Sequence, residues 1–101
     1  MTETVRQGDI LFIRRDKAPA KSTGVADGVI ARGTATGHTH ALRAMQGARL
    51  VRSGETLFVV VRSKAAHVDH QEHGTVDLGR GTWEIRRQRE ETPAGLRQVE
   101  D

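Results

Sequence analysis

Thr56-Leu57-Phe58-Val59-Val60-Val61-Arg62 decides the fold: five consecutive apolar residues, three of them β-branched, between polar ends. A run this short and this rich in valine reads as a strand buried on both faces, since no helical period extends it in either direction. Asp9 to Arg14 repeats the pattern around Ile10-Leu11-Phe12-Ile13. Working outward from these two, further strands are expected at Gly28 to Ala35, His38 to Met45, Ala48 to Val51, Ala65 to His70 and Thr82 to Arg89. Turns are expected at Gly24, Gly37, Gly47, Ser53-Gly54, Gly74 and Gly79-Arg80-Gly81. Seven short strands at this spacing predict an all-β domain, a small barrel or sandwich spanning residues 1–90. Asp16 to Asp27, with Pro19 and small polar residues, reads as a surface loop. Residues 91–101 read as a flexible tail or a short terminal helix.

The 101 residues suffice for one core. Only 3% are aromatic, so that core is aliphatic and modest. The absence of cysteine excludes disulfides, thiolate metal ligands and a cysteine nucleophile. No apolar run approaches the roughly 20 residues of a membrane-spanning helix, and Met1 to Gly8 has no apolar signal region. A soluble cytoplasmic protein is expected, and a barrel of this size is compatible with a homodimer. The charge balance is 16 Lys+Arg against 13 Asp+Glu, and 13 of the cations are arginine. Arginine grips phosphate and carboxylate in a bidentate way, so Arg87 and Arg89 are candidates for binding an anionic substrate or, secondarily, nucleic acid. Codon usage and solvated strand faces explain the same excess without function. With no tyrosine and only Phe12, Phe58 and Trp83, base stacking is not indicated.

The five histidines form two blocks, GHTH with His38 and His40, and HVDHQEH with His67, His70 and His73. Alternation along a strand puts His38, His40 and Leu42 on one face, which Leu42 marks as inward. By the same rule His70 lies inward with Val68, while His67 and Asp69 face out; Glu72 follows His70 in phase. Two histidines at H-x-H spacing present side-by-side nitrogens to one metal ion. His38, His40 and His70 are therefore the candidate ligands of a divalent transition metal (Zn, Mn, Fe or Ni), with Glu72 and His73 as candidate catalytic groups. Inward histidines in β proteins also serve simply to satisfy buried polar groups. Asp9, after Gly8, reads as a turn residue.

These residues carry a resemblance. The chain resembles a group of short, largely uncharacterised bacterial and phage-borne proteins. They pair an early QGDIL segment (here Gln7 to Leu11) with a TGHxH block (Thr36 to His40), an HxEH segment (His70 to His73) and LxxGxYxVxRQRE (Leu78 to Glu90, with Trp83 in the tyrosine place). The resemblance implies that His38, His40, His70, Glu72 and His73 act as one unit and implies no particular activity. A weaker, architectural likeness is to cupins, although Arg43 or Ala44 stands where a cupin glutamate is expected. Three functions follow as alternatives: a metal-dependent hydrolase, a metal-free histidine acid–base phosphodiesterase resembling a ribonuclease, and a non-enzymatic phage or accessory structural module.

Overall fold

A computed structural model describes residues 2–32, 39–43, 47–71, 73–87, 89–92 and 95–98. In chain order the strands are β1 Thr4–Gln7, β2 Ile10–Arg15, β3 Thr23–Val25, β4 Val29–Arg32, β5 Thr39–Leu42, β6 Ala48–Ser53, β7 Thr56–Asp69, β8 Val76–Arg87, β9 Arg89–Thr92 and β10 Gly95–Gln98. The first eight form one antiparallel sheet that curls into a half-barrel. Among the described residues β9 and β10 pair with each other as a small hairpin in the C-terminal segment. No helix among the described residues is long and apolar enough to cross a membrane.

The 14-residue β7 organises the sheet. Along one edge β7 pairs with β8. Along the other, its first half pairs with β6 and its last residues with β5, so the sheet forks there. The register shifts between Val61 and Ala65, a bulge of the kind that bends a strand and sharpens its twist. Sequence reading split this strand in two and likewise expected a turn at Gly79-Arg80-Gly81. That stretch runs through the middle of β8 instead. The glycines there serve a close approach: a Cβ on Gly81 would collide with the Arg14 guanidinium. Arg14 crosses β8, donates to the Arg80 carbonyl at 2.6 Å and lies 4.4 Å over the Trp83 ring. Two short strands, β1 and β3, went unpredicted, and β3 sits inside the expected 16–27 loop.

Ladder register assigns the faces. Ile10, Phe12, Leu50, Val59, Val61 and Trp83 point to the concave side and are buried, joined past the bulge by Val68 and Leu78. Trp83 is completely enclosed, its indole N–H donating to the Gly79 carbonyl at 3.0 Å. The convex side carries a second set, Ile13, Val51 and Phe58, also buried. This is why β2 and β7 lack clean alternation.

Candidate functional site

Gly8 and Asp9 form the two-residue turn between β1 and β2, flanked by the pair Gln7↔Ile10. Gly8 has φ 60°, and no described non-glycine residue has positive φ. Glycine alone at the first central position defines a type II′ hairpin turn. Gln7 lies opposite Ile10 and shares its concave face, so a polar side chain enters the core. Its amide nitrogen donates to the Val68 carbonyl at 2.8 Å and to the Gly74 carbonyl at 2.6 Å. Both donor hydrogens are thereby used, and Gln7 Oε1 is left facing His40 Nδ1 at 2.8 Å. An amide oxygen only accepts, so His40 Nδ1 carries a proton.

His40, on β5, is wholly buried, as alternation from Leu42 implied. With Nδ1 fixed by Gln7, its Nε2 points at Asp9 Oδ1, 3.4 Å away. The other Asp9 oxygen forms an ion pair with Arg87 Nε at 3.0 Å. Asp9 and Arg87 meet because β2 and β8 pair Ile10 with Arg87. Asp9 is 3% exposed, so its carboxylate is an inward group between a guanidinium and an imidazole, in addition to its place in the turn. Sequence reading took Asp9 for a turn residue and gave Gln7 no role in the site. The available signal was register: a two-residue turn before Ile10 forces the residue at Gln7 onto the buried face.

His70 and His73 continue the arrangement outward. The His40 and His70 ring centroids are 4.3 Å apart and those of His70 and His73 4.5 Å apart, a stack leading from the interior to exposed His73. The His73 backbone N–H donates to His70 Nδ1 at 3.1 Å. That nitrogen therefore presents its lone pair to the chain, and in the neutral ring the proton sits on Nε2. In this geometry the chain engages Nδ1, and His70 Nε2 is buried. His38 and Glu72 lie outside the described residues. Among the described residues no three metal-capable side chains converge. Arg87 is turned onto Asp9, and Arg89 is placed only as part of β9.

A salt-bridged clamp holds the two histidine segments together. Arg43, just past β5, grips Asp69 through Nε at 2.9 Å and Nη2 at 2.7 Å, and Thr75 Oγ1 donates to the same carboxylate at 2.6 Å. The hydrogen bonds from Arg43 and Thr75 hold the Asp69 carboxyl at a pKa of about 2, against the slight opposing effect of burial. Thr39 N–H donates to Gln71 Oε1 at 3.0 Å, a second tie between β5 and the turn bearing His70 and His73. His67 faces out and pairs with Asp77, away from the stack. Beside Arg87 a shallow depression of ≈ 220 Å³ opens among Ile10, Ile30, Leu57 and Ile85, with Glu55 at its edge.

The fold and site define a half-barrel whose end is closed by a buried Arg–Asp–His network and a stack of imidazoles. The chain belongs to a family described as a domain of unknown function, DUF8820, which matches residues 6–88. No curated protein and no solved structure matches it.

Proposed function

We propose that this end of the half-barrel is a divalent transition-metal site with His40 Nε2 and Asp9 Oδ1 as ligands, and that the protein is a metal-dependent hydrolase. One observation carries the reading: Gln7 locks His40 so that Nε2 faces a buried carboxylate oxygen at 3.4 Å. Two electron-rich atoms do not face each other in a dry interior without a proton or a cation between them. Ligands about 2.0–2.1 Å from a tetrahedral ion stand roughly 3.3–3.4 Å from one another, which is the separation found. A metal-bound histidine commonly donates its other N–H to a fixed oxygen, the part Gln7 Oε1 plays here. Remaining ligands are assigned to His38 and Glu72 on sequence phase alone. A bound ion would lower the pKa of a coordinated water and so supply a nucleophile. His73, at the exposed end of the stack, is positioned to exchange protons with a substrate.

A second reading takes a proton in place of the ion, giving an imidazolium between Gln7 and Asp9 and metal-free acid–base chemistry. The oxygens of Gln7 and Asp9 that face the two ring nitrogens of His40 favour it. Elemental analysis of untagged protein purified without chelator separates the two. The metal reading expects about one equivalent in the parent and loss in both His40→Ala and Asp9→Asn, with His67→Ala unaffected. No metal in the parent after reconstitution overturns it in favour of the proton.

A further inference from the structure

A pair of depressions lies away from the histidines, on the convex face where β6 runs beside β7. Two adjoining hollows, of ≈ 270 and ≈ 360 Å³, share the side chains of Arg49 and Arg62. The first is walled by Lys17 and Ala18 and floored by Val51 and Val60. Among the described residues no carboxylate lines either hollow.

These cations differ from the ion-paired arginines of the sheet. Arg14 pairs with Glu3, Arg15 and Arg86 with Glu84, Arg43 with Asp69, and Arg87 with Asp9. Arg49, Arg62 and Lys17 have no carboxylate partner among the described residues, although they lie on the same convex surface as the neutralised Glu84 cluster. Arg49 sits opposite Val60 in the ladder and Arg62 two residues further along β7. Such diagonal neighbours stand about 7–8 Å apart, comparable with successive phosphates on an extended strand.

We propose that this convex groove binds the phosphate backbone of single-stranded nucleic acid, with Arg49, Arg62 and Lys17 each opposite a phosphate. A groove with cations on its rim and aliphatic side chains on its floor admits a thin polyanion and not a flat bilayer. Phe12, Phe58 and Trp83 are all buried, so no aromatic ring is offered for stacking, and binding is independent of sequence. The proposal is separate from the metal site.

Fluorescence anisotropy with a labelled oligothymidylate tests it. Three single-strand phosphate contacts give a log–log salt slope of about −2, or roughly a 20-fold loss of affinity between about 50 and 200 mM salt. Arg49→Gln/Arg62→Gln should lower low-salt affinity by about tenfold or more and shrink the slope below about −1. Arg52→Gln, on the opposite face of β6, should change neither. Both groove arginines are exposed, and circular dichroism of the double variant confirms that folding is unchanged. Absence of binding at low salt, an equal loss in Arg52→Gln, or tighter capture of polyglutamate or anionic vesicles than of the oligonucleotide would each overturn the proposal.

Discussion

Two turns of this molecule are built alike and end oppositely. Gly8-Asp9 and Gly54-Glu55 both join antiparallel strands through two residues, with glycine first at φ 60° and an acidic residue second. Yet Glu55 is exposed, while Asp9 is buried against Arg87 and His40. Local turn chemistry therefore determines the backbone and says nothing about where the carboxylate goes. The destination is set by what the neighbouring strands bring: β8 delivers Arg87 and β5 delivers His40 to the first turn, whereas the second turn ends in solvent. Placing a carboxylate in the interior costs several kcal/mol before any partner is counted, so a protein that keeps one there uses its charge for more than closing a turn.

Substitution at the acidic position should separate the turns most. Asp9→Ala leaves Arg87 and His40 facing a void and is expected to cost about 3–5 kcal/mol in urea unfolding, against about 0.5 kcal/mol or less for Glu55→Ala. Similar losses at both turns would show that Asp9 acts only as a turn residue. At the glycines the contrast should vanish: Gly8→Ala and Gly54→Ala each force an alanine to φ near 60° and should each lose about 1–2 kcal/mol. A much larger loss at Gly8 would mean that the buried network transmits strain to its turn. The smallest effect concerns Asp69, a carboxylate that is paired but left 40% exposed. Its folded pKa, about 2, lies below the ordinary carboxyl value of 3.8, so its contribution is full above pH of about 4 and is lost as pH falls toward 2. Exposure screens the pair, so Asp69→Asn should flatten the acid limb of stability by no more than about 1 kcal/mol. A larger change would make the clamp a principal support of the site.

Much of the fold is legible in the chain, and the reasons for the exceptions are specific. Apolar runs such as Leu57 to Val61 mark strands because they are short, rich in β-branched residues and continued by no helical period. The inward placement of His40 followed from its phase with Leu42. Strand lengths were misjudged where glycine was read as punctuation: Gly79 and Gly81 make room for Arg14, a partner 65 or more residues away that no local pattern reveals. β1 and β3 are short and polar or glycine-containing, so their strand character comes from pairing alone. Within the site, histidine clustering was visible, but Gln7 and Asp9 were hidden because their significance lies in a register between the start of the sheet and its end. The proton on His40, and the lone pair His70 turns to its own backbone, depend on hydrogen bonds that spacing cannot encode.

The three hydrogen bonds of the Gln7 amide reach Val68, Gly74 and His40, 61, 67 and 33 residues away along the chain. Such contacts are the slowest to form, since each must close a long loop before it is rewarded. During synthesis the first strand waits for the end of the sheet: the lock on His40 needs residue 74, and the Asp9–Arg87 pair needs residue 87, to have emerged. A nascent or truncated chain therefore carries all the early residues of the site without its chemistry, and the site appears only in the event that finishes the sheet.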